Sequence, residues 1–501
     1  MDATLYPDIT PWYQSVLPFG SLGGFYNTAA DAVYRGFDWK MLFALEARYH
    51  ETEARLDSRK EIVRLLTEKY GFKAKNGSTY ICPLMLETLL DVLPDEPLPP
   101  RHPENGGAPA IPFDAFIRAW VLAPFYEVED NSAALWRALA RNPDFLVRCR
   151  FPGNVLPVVR SFQRFNEVMV FGGLWAVARR VVVMDNLEKG ALSAPRSLAI
   201  DPGHEDGYAG VHEPCAACKA CKACDPKERV FTCDVTDIVA KRKNYQFPGV
   251  KGVFIADADQ DVPLLVVGVN ARTFDGNTGI TAAEAFAKEY PEQVKTVEEA
   301  LLDGAFDIKD EKKGISEALG GADVLTPINP RARKDQAVEG HRGIDHINPY
   351  GLPICIEGLG MIYLGRDMKR EDFLYGCPLM DRSTCKLDCP NQGLCCPNPG
   401  PAGRTFRVPR EQTPQVDWEN PQHSQDFKDR YDARTSAERV IGRTKWSFPF
   451  GRHWGRGRAA FQGHLDKGVM AFHVLLSAAH ALEVPEKGRS PLTFHEKAVA
   501  A

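Results

Sequence analysis

Near residue 195 the hydrophobic period of this 501-residue chain changes, and no other feature narrows its fold as much. Between residues 113 and 190 the apolar residues fall at helical spacing, first as Phe116, Trp120 and Leu122, then as Leu135, Leu139, Phe145 and Leu146, then from Val168 to Val183. Beyond that point come short β-type runs: Ser197 to Asp201, Gly252 to Ala256 and Pro263 to Val269. The polar interval Asp257 to Asp261 separates the last two as a hairpin would. A helix candidate at Thr281 to Tyr290, the apolar run Ala300 to Asp303, a helix at Lys309 to Leu319 and a run at Asp323 to Ile328 then alternate. Hairpin-type strands followed by alternating strand and helix imply an α/β fold built on a mixed sheet.

Seven prolines and the turn signal Asn105-Gly106-Gly107 make 94–112 a linker that cannot continue a helix. It sets off an N-terminal helical region, 1–93, with candidate helices at Trp39 to Leu56 and Ser58 to Tyr70. That region is a candidate DNA-binding unit, although it has no basic recognition helix. The helical domain 113–190 and a core segment 195–328 follow, then a segment rich in Pro, Gly and Cys at 329–428. C-terminal helices at 429–482 and a tail at 483–501 complete the expected division.

The most apolar stretch, Val253 to Val269, is broken by Asp257, Asp259 and Asp261, so it cannot cross a bilayer. The first residues lack the basic and apolar regions of a secretion signal, which points to a cytoplasmic protein whose 13 cysteines stay reduced. The net charge of -5 does not advertise a nucleic-acid partner. Locally the balance differs: 430–458 holds eight cations (Arg430, Arg434, Arg439, Arg443, Lys445, Arg452, Arg456, Arg458) against Asp432 and Glu438. Such a stretch is either a phosphate-contacting surface, with Arg439 and Arg443 among its contacts, or a solvated helix face with a basic loop.

Asp201 closes the first β-type run and Asp303 a later one, each followed at once by turn residues, Pro202-Gly203 and Gly304. Carboxylates at strand ends of an α/β sheet can converge on one site at its edge, although one such Asp is commonly a turn former or helix cap. Downstream, the helix that begins near Arg430 and runs to about Lys445 places Tyr431, Arg434, Glu438 and Lys445 on one face. Ala433, Ala437, Val440, Ile441 and Thr444 form a separate apolar stripe that can dock on the sheet. Periodicity alone also allows an ordinary surface helix with Arg and Glu pairs.

The spacing of Tyr431, Arg434, Glu438 and Lys445 resembles the YREK signature of the DDE transposases of prokaryotic insertion sequences. Leu302-Asp303-Gly-Ala-Phe306-Asp307 is similar to the family's second-Asp motif, and Leu198 to Asp201 to its first-Asp strand. The stretch with Asn142-Pro143, Gly153 and Pro157 to Phe165 resembles the helical domain that precedes the catalytic core. The resemblance covers residues 112 to 480. It implies an RNase H-like core with an N-terminal helical domain and a Cys-rich insertion. It also implies two Mg²⁺ or Mn²⁺ ions on Asp201, Asp303 and Glu438, and DNA contacts from Tyr431, Arg434 and Lys445. The expected partner is double-stranded DNA, both element ends and target, held by a homodimer in the nucleoid. Pro202-Gly203-His204 departs from the Ser-Thr or Gly-Thr that often follows the first Asp, which puts full activity in question.

Cys215, Cys218, Cys221 and Cys224 occur at every third residue with Cys233 close behind. That spacing suits a structural zinc site, and it also matches iron–sulfur ligation or a loop of reduced thiols. A second group, Cys377, Cys385, Cys389, Cys395 and Cys396, either binds its own zinc or shares ions with the first. Trp418 and Trp446 are candidates to stack on an unpaired base, or are packed aromatics. Two other functions fit the same residues: a catalytically silent, zinc-containing DNA-binding derivative, and a metal-dependent nuclease that does not join strands.

Overall fold

Asparagine side chains and glycines punctuate the helices of this chain, as seen in a computed structural model. It describes residues 22–70, 112–206, 237–238, 248–269, 273, 275–384, 386–452 and 457–494. Asn131 Oδ1 accepts from the Ala133 and Ala134 amides (2.8 and 3.2 Å) and opens the helix Ser132–Arg141. Asn142 ends that helix and caps the next, Pro143–Cys149, through the Phe145 amide (3.1 Å). The apolar run 168–183 is not one helix as its spacing suggests. Gly172 ends Val159–Phe171 and Gly173, at φ +61°, opens Leu174–Glu188, a backbone state that glycine adopts without strain. Conversely, the two N-terminal candidates are a single helix, Glu46–Tyr70, preceded by Leu22–Gly36 and Lys40–Phe43.

The chain divides into two units, 1–194 with 202–274 and 437–501, and 195–201 with 275–436. This division differs from the one expected from sequence. Ala29, Val33, Tyr49 and Leu56 of the N-terminal helices are buried in the same core as Phe113 to Leu122, Phe162, Phe165 and Trp175. Val474, Leu475 and Ala478 of the long helix Gly457–Ala481 join that core. The N-terminal region is thus no free-standing module, because its apolar stripe is completed by partners spread along the chain from Phe113 to Ala478. At roughly 1.5–3 kcal/mol per large buried side chain, this core holds the two ends of the first unit together.

The first unit also carries the expected hairpin. Strands β3 (Pro248–Asp257) and β4 (Val262–Val269) pair antiparallel from Lys251↔Val269 to Asp257↔Val262. Val440 and Ile441 of the helix Thr435–Trp446 pack on this hairpin with Phe461, Leu465 and Val469. The apolar stripe read from sequence therefore docks on sheet: Ala437, Val440 and Thr444 are buried.

In the second unit, strands β1 (Ser197–Asp206, shared with the first unit beyond Asp201), β5 (Glu299–Leu301) and β6 (Asp323–Leu325) run parallel. With β2 (Asp237–Ile238) the strand order is β2-β3-β1-β5-β6, with β4 on β3, a mixed sheet. The helices Asp275–Glu289 and Lys309–Ala318 supply the connections between strands.

The segment 329–428 forms small antiparallel sheets that sequence periodicity did not reveal: β7-β8-β9 (336–337, 344–347, 353–355), β10-β11-β14 (362–367, 372–376, 405–409) and β12-β13 (380–381, 386–387). Ile347, Phe373, Tyr375, Val408 and Trp418 give this segment a core of its own. The expected linker before Pro112, the cluster Cys215 to Cys233, and Cys385 lie outside the described residues. Among the described residues no helix is long and apolar enough to cross a membrane.

Candidate active site

Parallel pairing relates the strand that holds Asp201 to the one that leads to Asp303. Ser197 aligns with Glu299, Leu198 with Ala300 and Ala199 with Leu301. The pairing stops there: Asp201 lies within β1, which runs on to Asp206 instead of ending at the carboxylate as its turn residues suggested, and Asp303 lies two residues past the end of β5. Asp303 Oδ1 also accepts from the Ala305 amide (2.6 Å) and so caps the turn Gly304–Phe306. The motif residues after it are anchors. Phe306 is fully buried. Asp307, 3% exposed, holds Lys312 (3.1 Å) and Arg333 (3.2 Å) and accepts from the Asn329 amide (2.9 Å). Phe306 and Asp307 thereby fix the backbone on which Asp303 stands.

Three residues from one helical run reach these strands. Arg434 Nη2 lies 3.1 Å from Asp201 Oδ1, with side chains 15% and 16% exposed. The Tyr431 hydroxyl donates to the Leu302 carbonyl (2.9 Å), the residue just before Asp303, and its ring stacks on Phe427. Arg430 is the third, and sequence reasoning assigned it no role at the site beyond membership of the basic stretch. Its guanidinium donates to Glu299 (2.7 Å), Asp323 (3.1 Å) and Asn420 (2.8 Å), bridging β5 and β6. Its position beside Tyr431 was the one clue, because Glu299 and Asp323 lie 131 and 107 residues away in the chain.

The helix itself departs from the regular one expected from Arg430 to Lys445. It begins at Gln425, tightens to a 3-10 turn at Asp432–Arg434 and resumes at Thr435–Trp446. Three residues per turn in that segment brings Arg434 under Tyr431 more closely than an α-helix would. Glu438 follows Arg434 by four residues, a rise of about 6 Å, and is exposed. Arg439 grips Asp261 at the β3–β4 turn through Nε and Nη2 (3.0 and 2.6 Å), and Arg443 donates to the Asp261 carbonyl (3.1 Å). Lys445 is half-buried near the helix end.

Of the second cysteine group, Cys377, Cys395 and Cys396 are buried and Cys389 is half-buried. Burial pushes the Cys395 thiol up, and Cys377, Cys389 and Cys396 push it further, so the four thiols lie within electrostatic reach. Among the described residues no three His, Cys, Asp or Glu side chains are grouped closely enough to hold a metal ion. The two tryptophans separate. Trp418 is a packed aromatic, 8% exposed, against Phe373 (ring centroids 5.1 Å) with Arg366 and Arg410 over its faces. Trp446 is 83% exposed.

No protein-family model matches the chain, and no curated protein matches it.

Proposed function

We propose that the chain is a DDE transposase, which binds the inverted repeats at the ends of its element, cuts phosphodiester bonds there and joins the ends to target DNA. One observation carries this reading: Asp201 lies in β1 and Asp303 two residues past β5, the parallel neighbour of β1, with Arg434 on Asp201. The YREK spacing then supplies Glu438 as the third carboxylate, one turn beyond Arg434. An RNase H-like core is the form of mixed sheet this reading requires.

The donor types suit hard divalent cations, and the three side chains are not grouped as a preformed ion site. Aspartate and glutamate oxygens, partly open to solvent, are what Mg²⁺ and Mn²⁺ take, whereas zinc favours nitrogen and sulfur. When bound, two such ions would activate the attacking water or 3′-hydroxyl and stabilise the departing oxygen. The chain's own residues do the positioning. Asp303, fixed by its capping bond and by the Phe306 and Asp307 anchors, presents its second oxygen from a rigid turn. Arg434 holds Asp201 in place until phosphate arrives, and then offers the guanidinium to the backbone of the DNA with Lys445. Tyr431 locks the helix to the strand end through Leu302. Arg439 and Arg443, held at Asp261, would bring a fixed basic edge toward the duplex rather than reach out singly. In this reading the run Cys215 to Cys233 holds structural zinc, and the protein works as a dimer on paired ends in the nucleoid.

The test incubates the purified protein with Mg²⁺ or Mn²⁺ and duplex DNA bearing the inverted repeats that flank its element. Cleaved ends joined to target are expected, and Glu438→Gln should abolish both steps. Cutting without joining would instead make the chain a nuclease, and tight DNA binding without cutting a silent derivative.

A further inference from the structure

We infer that the cavity beside His423, wholly within the second unit, is a binding site for a small aromatic carboxylate. Its volume is about 590 Å³, enough for a ligand of one or two rings. Ile328, Met361, Tyr350, Tyr363 and Phe427 supply apolar wall, and no Asp or Glu lines it. Tyr350 is 47% exposed, so an aromatic face there is left uncovered.

The polar side chains that line the cavity are left with donors to offer. Asn348 Oδ1 is occupied, accepting from the Tyr350 and Leu352 amides (3.0 Å each), and those two bonds fix the loop between β8 and β9. Gln422 Oε1 is occupied in the same way by the Asp417 amide (3.1 Å). Each of these side chains therefore has only its NH₂ group free. His423 adds a third donor by a count of protons. Tyr375 is fully buried, and the one partner of its hydroxyl among the described residues is His423 Nδ1 (2.9 Å). A phenol has a single proton to give, so Nδ1 accepts it and the neutral imidazole carries its own proton on Nε2. Burial, opposed by the Tyr350 carbonyl and helped by the Lys428 charge, brings His423 down to about 4 and keeps the ring neutral at ordinary pH. Nε2 is nevertheless buried with no hydrogen bond of normal geometry, to Tyr350 or to any other described residue. An orphaned buried donor is costly to keep, and a ligand oxygen would satisfy it.

These donors select the ligand's polar end. A carboxylate accepts at about four lone-pair sites and brings one negative charge, which the ammonium of Lys428, also lining the cavity, can match. A phosphate monoester would bring nearly twice that charge to a single cation. The aromatic wall selects the rest of the ligand, a flat apolar body.

Calorimetric titration of the full chain with benzoate, naphthoate and biphenyl carboxylate, each beside its matching alcohol, tests the assignment. At least one of the acids should bind, about tenfold more tightly than its alcohol. Tyr350→Ala should weaken acid and alcohol alike by about tenfold, at an unchanged unfolding midpoint because the ring is exposed. Lys428→Gln should weaken the acid alone, by about threefold. His423→Phe should shrink the preference for the acid by about tenfold. Where that variant fails to fold, the Tyr350 and Lys428 variants still decide. Absence of binding by all three acids at millimolar concentration overturns the proposal, as do equal affinities for acid and alcohol, or affinities that Tyr350→Ala and Lys428→Gln leave unchanged. Phenyl phosphate bound more tightly than benzoate assigns the cavity to another class of anion and overturns it too.

Discussion

Asp130 and Asp201 each face a basic side chain, yet they live in different surroundings. Asp130, 6% exposed, is bonded to Lys467 and to His464 Nδ1 (2.8 Å), and Lys467 sits over the rings of Trp120 and Trp175 (4.5 and 5.1 Å). Burial pushes the Asp130 carboxyl up, but Lys467 and His464 pull it down further, well below the usual carboxylate range. In the same unit, Arg179 and Asp466 pair at 2.8 Å with both side chains 1% exposed. Asp201 instead has a guanidinium beside it, is 16% exposed, and lies on the strand that pairs with the one leading to Asp303. A carboxylate enclosed by donors cannot take a cation, and its charge serves the fold. A carboxylate with one partly exposed partner can exchange it, and that exchange is what a ligand site requires.

The largest effect that tests this contrast is on stability. Lys467→Met leaves Asp130 buried without its main counter-charge and should cost about 3–5 kcal/mol in denaturant unfolding. Asp201→Asn should cost less, about 1–3 kcal/mol, since it removes one charged hydrogen bond from a pair 15% and 16% exposed. Equal losses would erase the distinction. The buried region should also confer a pH dependence that the Asp201 pair does not. Burial, helped by the Arg179 charge and opposed by the bond to the Pro263 carbonyl, brings His473 down to about 4. An unfolded histidine titrates near ~6.5, so between that pH and 4 only the unfolded state takes the proton. Stability should therefore fall as pH drops through this window, by about 3 kcal/mol from His473 with a further share from His423, which burial also brings down to about 4, and rise again toward neutrality. Urea midpoints from pH 7 to 4 measure it, and His473→Gln should flatten the slope.

Smaller effects sharpen the site side of the comparison. Arg430→Met removes charged hydrogen bonds to Glu299 and Asp323 and should cost about 1–3 kcal/mol. Hydrogen exchange should show the loss first in the helix Gln425–Tyr431. Arg439→Gln breaks a pair whose cation is 45% exposed and should cost under about 1 kcal/mol. A larger loss there would mean that Arg439 is a fold residue of the Lys467 kind.

What is local in the fold was the most legible in the sequence. The hairpin β3–β4 could be read because two apolar runs flank an acidic turn, and the stripe Ala437, Val440, Thr444 because its period is helical and its face buried. Asp201 and Asp303 stood out as carboxylates beside turn residues, but the pairing of their strands needed the parallel register, which no local pattern encodes. The strands of 329–428 were hidden because many are two or three residues long, too short for alternation to register. The enclosure of Asp130 was likewise invisible, since Lys467 lies 337 residues away. The break at Gly172-Gly173 is signalled by the glycine pair itself, but the apolar run around it masks the signal.

Whether Asp201 and Asp303 serve chemistry rather than fold is tested most directly by one measurement: the Mn²⁺-dependent cleavage rate of inverted-repeat DNA by Asp303→Asn, with its unfolding midpoint recorded in parallel. The expected result is a loss of about a thousandfold or more in rate with a near-native midpoint. Cleavage at the wild-type rate by a folded Asp303→Asn protein would contradict a catalytic role for this pair.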